Sequence, residues 1–281
     1  MKKRVLTIIL LVLSALCLCA CSNAKPESTS TFSIRFIDVG QGDAALVECD
    51  GRYMLIDGGD ESAGEKVYSV LEEQGIQHLD ILAISHMDAD HIGGLAKAVT
   101  YASKIDLTIA NSSYGQTATF RKVEYELGIN GARITVPDVG DKYQFGSAEI
   151  EVIDVASSSK NDSLVLLITY GKTKFLFTGD IEDEAQTRIS DKYENEKDEA
   201  YKLDLIKMPH HGSNILYRFI RTFMPDYAVI SVGKENMYSH PSEETLERLE
   251  DANVKVYRTD MNGDIIVHSD GESLLIECER Q

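Results

Sequence analysis

The chain has 281 residues, 43% of them hydrophobic, and lacks tryptophan; it carries 46 Asp and Glu against 28 Lys and Arg, for a formal net charge of −18. That length suits one large domain with a good core. The acidity opposes polyanions at long range and so argues against a tight DNA-binding module, as does the lack of any Lys/Arg run interleaved with aromatics.

The first twenty residues read as a secretory signal. Lys2, Lys3 and Arg4 precede a nearly unbroken apolar stretch over 5–18, too short for a spanning helix. It ends at Leu18-Cys19-Ala20-Cys21, which resembles a bacterial lipobox with Cys21 as the lipidated residue; ordinary secretion with cleavage nearby is the alternative. Residues 21–33 then form a polar tether with Pro26 and no periodicity, and 34–281 the folded domain. Losing the three signal cations makes the mature chain more acidic still. An exported protein tethered to the membrane through its N-terminal lipid, and a monomer, is expected. Cys49 and Cys278 remain in the body, either as a disulfide or as two buried thiols.

The domain opens with strands at 32–39, 44–48 and 53–57, broken at Gly40-Gln41-Gly42-Asp43 and Gly58-Gly59. A helix is predicted over 65–74, where Val67, Val70 and Leu71 share a face. Next comes ILAISHMDADHIGG at 81–94: an uninterrupted apolar run, four polar residues with ligand chemistry (His86, Asp88, Asp90, His91), two glycines, and a helix from about Ile92. Imidazole nitrogen and carboxylate oxygen suit zinc, manganese or iron, and a carboxylate can bridge two ions. The second half has strands at 133–136, 144–145, 148–154, 164–170, 174–178, 203–207, 227–232, 255–257, 264–267 and 273–276, with helices at 182–193, 214–223 and 242–252. Strand meanders followed by strand–helix alternation, twice over, predict an α/β (α+β) fold of two mixed sheets with helices outside.

Three later strands run straight into further candidates. One leads to Gly179-Asp180, one to Pro209-His210-His211-Gly212-Ser213, and one to a loop holding Tyr238-Ser239-His240-Pro241. A side chain just past a buried strand is held by the sheet. Of seven histidines, His86, His91, His210, His211 and His240 sit in these strand-end loops; His78 and His268 do not.

HMDADHIGG, FTGD and PHHGS, in this order, resemble the metallo-β-lactamase fold. FIDVGQGDAALVE (36–48), MLIDGG (54–59), NDSLVLLI (161–168) and YSHPSEETLERL (238–249) extend the likeness to the hydrolase domain of ComEC-type competence proteins. The resemblance implies a four-layer αββα sandwich and one or two divalent metal ions, zinc or manganese, at the sheet edges. It assigns His86 and Asp88 to one ion, and Asp90 and His91 to the other, joined by His210 or His211, with His210 preferred. Asp180 bridges the two. Asp88 stands where the superfamily usually has histidine, and Asn161, Asp162 and Ser163 replace a further expected histidine. Such an oxygen-rich set accepts manganese more readily.

From these positions, metal-activated water is the expected nucleophile, with Asp90 at the reacting centre. Gly93 and Gly94 bare amides for an anionic substrate. His240 either protonates the leaving oxygen or caps the helix starting near Ser242. Asp43 and Asp57, Asn161, Asp162, Ser163 and Ser213, and whichever of His210 and His211 is not a ligand, either support the ligands from behind or contact substrate. The expected activity is hydrolysis of a phosphodiester, in nucleic acid or in an envelope polymer; the latter fits the acidity and the export better. The alternatives are a metal-dependent ester, thioester or lactam hydrolase, and a non-catalytic binding lipoprotein.

Overall fold

The computed structural model describes residues 31–155, 162–194 and 201–280; Cys21 and Asn161 lie outside them. The first half runs β1 (Phe32–Phe36), β2 (Ala45–Cys49), β3 (Arg52–Ile56), α1 (Gly64–Glu73), β4 (His78–Ile84), α2 (Ala89–Ile92), α3 (Leu95–Tyr101), β5 (Lys104–Ala110), α4 (Ala118–Ile129) and β6 (Ile134–Thr135). The second runs β7 (Lys142–Phe145), β8 (Ala148–Asp154), β9 (Val165–Tyr170), β10 (Thr173–Phe177), α5 (Asp183–Tyr193), β11 (Leu205–Lys207), α6 (Tyr217–Phe223), β12 (Tyr227–Ile230), α7 (Glu243–Asp251), β13 (Lys255–Arg258), α8 (Thr259–Asn262), β14 (Ile265–Ser269) and β15 (Leu274–Cys278).

Among the described residues these strands make two mixed sheets. One is ordered β15-β14-β1-β2-β3-β4-β5-β6, the other β13-β12-β11-β10-β9-β8-β7. Side-chain alternation along each strand explains the layering. In β4, Ile81 and Ala83 enter a core between the sheets, while Leu79, Leu82 and Ile84 enter a second core under α1, α3 and α4. A third core fills the space between the second sheet and α5, α6 and α7. The result is the predicted helix–sheet–sheet–helix sandwich. Strands β3 to β6 are mutually parallel, as are β10 to β13. Their carboxyl ends are where such sheets place ligand-binding loops.

Register separates the two cysteines. Cys49 pairs with Phe32 at one end of β1, whereas Cys278 pairs with Ile265, which lies opposite Phe36 at the other end. Both thiols are free.

The sequence reading differs from the structure in three places. The first strand starts at Phe32 as expected but ends at Phe36, short of 39. Strand β5 and helix α4 were not anticipated. The helix expected from about Ile92 is two short helices, and Gly93 and Gly94 lie between them in helical conformation. Those glycines do not bare amides for a substrate. Gly93 N donates to Ala89 O and Gly94 N to Gly59 O. A Cβ at Gly94 would sit 2.1 Å from the Gly58 carbonyl oxygen, so the residue serves a backbone crossing. Gly94→Ala should therefore destabilise the domain by about 1–3 kcal/mol, the usual cost of overpacking. Denaturant melts test this, and an unchanged midpoint would show that the crossing tolerates a side chain.

Candidate metal centre

Every loop that delivers a candidate ligand leaves the carboxyl end of a parallel strand. β4 leads into His86, Asp88, Asp90 and His91; β10 into Asp180; β11 into His210 and His211; and β12 into the loop with Tyr238 and His240. Asp43 and Asp57 arrive at the same edge from the turns around Gly42 and Gly58. Gly42 has φ +138°, and a Cβ there would meet the Asp90 carbonyl oxygen at 2.3 Å, so glycine is required for the two loops to touch. Asp43 N closes that contact by donating to Asp90 O.

Asp180 is central. Its Oδ1 lies 3.2 Å from His91 Nε2, and its Oδ2 3.8 Å from His86 Nε2, 3.7 Å from His210 Nε2 and 3.7 Å from His211 Nε2. Asp90 Oδ2 stands 3.3 Å from His211 Nε2. One donor atom from each of Asp90, His91, Asp180 and His211 falls within 4.8 Å of the others. Asp88 lines the open side of the same cleft, of about 220 Å³, with Gln41, His210, Tyr238 and His240.

The structure groups His211, not the preferred His210, with the other candidates. His211 is 1% exposed and its Nδ1 donates to Ser231 O at 2.9 Å, which turns Nε2 toward Asp90 and Asp180. His210 is 29% exposed and leans its Nδ1 toward Glu182 at 3.4 Å, on the rim. Both residues take left-handed backbone angles, φ 44° and 55°, a strain that non-glycine residues tolerate mainly at functional sites.

Support for the other imidazoles comes from behind. Asp57 Oδ2 accepts from His91 Nδ1 at 3.0 Å and from the Ser85 hydroxyl at 2.6 Å, and Ser85 Oγ lies 3.0 Å from His86 Nδ1. Each ring thus has its Nδ1 occupied and its Nε2 facing Asp180, the arrangement that outer carboxylates and hydroxyls impose on metal-binding histidines. Asp43 reaches His211 Nδ1 at 3.3 Å. Ser85 was visible in the sequence only as the end of an apolar run.

Asp162, Ser163 and Ser213, candidates for supporting the ligands or contacting substrate, stand behind the cleft. Ser163 Oγ accepts from Asp180 N at 2.9 Å and so fixes that loop. Asp162 is buried beside Arg188, and its carbonyl accepts from Asn111 Nδ2 at 2.7 Å. Ser213 N donates to His210 O, holding the histidine turn from outside the cleft lining. Ser242, not His240, caps α7: its hydroxyl accepts from Thr245 N at 3.1 Å. His240 instead joins the cleft.

The electrostatics call for a cation. Burial alone would lower the pKa of His91, but Asp180 and Asp57 outweigh it and hold the ring well above its usual value. Burial likewise opposes His211, yet Asp180, Asp43 and Asp90 push it up to about 9. Burial would raise Asp180, and His91, His211 and His86 instead hold it well below the carboxylate range. His86 is lowered by its own burial and by His91. The carboxylates around these two imidazoles thus favour positive charge at the centre of the cluster. His86 Nε2, His91 Nε2 and Asp180 Oδ1 are buried and make no hydrogen bond. Buried, unsatisfied nitrogen and carboxylate donors converging on one point fit a divalent metal.

Residues 37–234 match the metallo-beta-lactamase superfamily. The chain belongs to that superfamily. Divalent metal ions are implied by membership, and the donor cluster is where this member would hold them. It is similar to "ComE operon protein 3" of Bacillus subtilis (strain 168), at 31% identity over 264 residues covering 85% of this chain and 33% of that protein. It is also similar to "Competence protein ComA" of Neisseria gonorrhoeae, at 28% identity covering 85% of this chain and 32% of that one. The chain therefore spans about a third of these competence proteins. Among solved structures, the metallo-beta-lactamase fold protein YhfI from Bacillus subtilis superposes with a TM-score of 0.55 at 10% identity, covering 85% of this superfamily member and 100% of YhfI. That likeness shows the fold alone.

Proposed function

We propose that this superfamily hydrolase cleaves phosphodiester bonds, with one or two divalent ions, zinc or manganese, held by His86, Asp88, Asp90, His91, Asp180 and His211. The observation that carries this reading is the placement of His240 across an open cleft from the carboxylate–imidazole floor. Bound divalent cations lower the pKa of water and neutralise charge on phosphoryl oxygens. The chain's residues supply the rest. Asp180 and Asp90 set the donor geometry, and His210 stands on the rim beside the entering substrate.

His240 is the proton donor for the departing oxygen. Its ring centroid is 5.5 Å from that of His210, and its Nδ1 is buried without a hydrogen bond. Burial and the neighbouring His210 and His211 lower its pKa. An anionic diester beside it supplies the missing counter-charge and favours the protonated ring. Carboxylates at Asp88, Asp90 and Asp180 make the donor set rich in hard oxygen, which favours manganese alongside zinc. Turnover of bis-(p-nitrophenyl) phosphate by metal-reconstituted protein, set against lactam and thioester substrates, tests the bond class. Fully loaded protein that cleaves lactams or thioesters but no diester would overturn it.

The same reading places the enzyme outside the cytoplasm, tethered through a lipid on Cys21. Among the described residues no helix is long and apolar enough to cross a membrane. Cys21→Ala should block lipidation and change the membrane-bound fraction. Mass spectrometry of a wild-type protein that is soluble and unacylated would remove the anchor.

A further inference from the structure

A lysine lies where the fold calls for an apolar side chain. In β11, Leu205 belongs to the core between the sheets and Ile206 to the core on the helix side, so alternation turns Lys207 back between the sheets. It pairs across the sheet with Phe177 and Val229 and is only 3% exposed. Its ammonium is 2.7 Å from Asp43 Oδ2 and donates to the Met208 carbonyl at 2.8 Å. Asp43 belongs to the opposite sheet's loops, so the ion pair joins the two sheets directly beneath the donor cluster.

Asp43 touches both sides of that cluster. Its Oδ1 is 3.3 Å from His211 Nδ1 and its Oδ2 is 3.9 Å from His91 Nδ1. Asp43, Asp57 and His91 also offer donor atoms within 4.8 Å of one another, a second convergence of negative charge behind the first. A small cavity of about 20 Å³ there, lined in part by Asp57, Ser85, Lys207 and Ser231, has room for little more than one water. The ammonium already neutralises Asp43 at this inner position.

We propose that Lys207 is a resident cation that, through Asp43, positions the imidazoles of His91 and His211 for metal binding. The inference rests on the metal-centre reading above. Held by Lys207, the Asp43 carboxylate stays 3.3 Å from His211 Nδ1, beside the Ser231 carbonyl, and the ring keeps Nε2 aimed at Asp90 and Asp180. Without the lysine, Asp43 is left buried without its counter-charge and no longer held in place, and the two rings lose the carboxylate that fixes them. Lys207 touches neither metal nor substrate, so it is a positioning residue.

The test is a zinc titration of metal-free protein against a chelator of known affinity. Lys207→Met should weaken zinc binding about 10- to 100-fold, as loss of outer partners of metal-binding histidines does. The paired variant Lys207→Met/Asp43→Leu removes both buried charges together. It should regain thermal stability relative to Lys207→Met while zinc affinity stays low, because the histidines still lack their carboxylate. If the single variant does not fold, the paired variant carries the test. Wild-type zinc affinity in either variant would overturn the inference and leave the metal centre standing. A wild-type protein that binds no zinc or manganese would overturn the metal centre itself.

Discussion

Replacing Asp180 by Asn is expected to strip the protein of tightly held zinc or manganese and to cut hydrolysis of bis-(p-nitrophenyl) phosphate by more than about 100-fold, beyond the loss usual for an outer partner. The substitution is isosteric. The backbone bond from residue 180 to Ser163 Oγ stays available, so the turn after β10 should survive. What disappears is the one carboxylate that stands within 4 Å of nitrogens from His86, His91, His210 and His211. An amide at this point carries no charge, and its NH2 cannot coordinate. Elemental analysis after dialysis, beside circular dichroism and turnover, reads the outcome. Stoichiometric metal retained by a folded Asp180→Asn variant would sink the central role given to this residue.

His240→Ala should reveal its effect only against the right leaving group. Asn236 pins the loop: its Nδ2 donates to His240 O at 2.7 Å and its Oδ1 accepts from His240 N at 3.0 Å. Tyr238 stacks on the ring with centroids 5.7 Å apart. The Asn236 bonds use only the backbone of residue 240, so the variant loses the Tyr238 contact but should fold and keep its metal. A p-nitrophenolate leaves readily without protonation, whereas a sugar or glycerol alkoxide does not. Hydrolysis of natural diesters should therefore fall about 10²- to 10⁴-fold, the span of general-acid effects, with a much smaller loss on the activated substrate. Equal losses on both would demote His240 to a binding or packing role.

Legibility in the sequence follows how local each feature is. The motif over 81–94 was readable because a buried strand and its ligands are contiguous. The choice between His210 and His211 was not, since two adjacent histidines look alike until the backbone turns one toward Ser231 and the other toward Glu182. Lys207 passed as the end of an apolar strand because its partner, Asp43, lies far away in sequence on the other sheet. Helix α4 did leave a trace: Thr117 caps it through Phe120 N, and Phe120, Val123 and Leu127 are buried at helical spacing. Gly128 and the exposed Tyr125 and Ile129 blur that stripe. For Gly93 and Gly94, the pattern of a strand, ligands and paired glycines favoured an anion-binding helix start. Only the crossing against residues 58–60 shows what the glycines are for.

The strand order has a consequence for how the chain assembles during synthesis. β1 is made first, yet one of its two neighbours is β14, near the other end of the described chain. Until residues 265–269 have been made, β1 presents an unpaired edge with Ile34 and Phe36 beside it, and such edges invite association with other chains. Asp264, just before β14, later accepts from Arg35 Nε at 2.7 Å and from Asp38 N at 2.9 Å, closing the seam with partly buried hydrogen bonds. A nascent chain therefore carries its ligand-bearing loops long before the sheet beneath them is sealed, and the interval between those two events is when it is most exposed to misassembly.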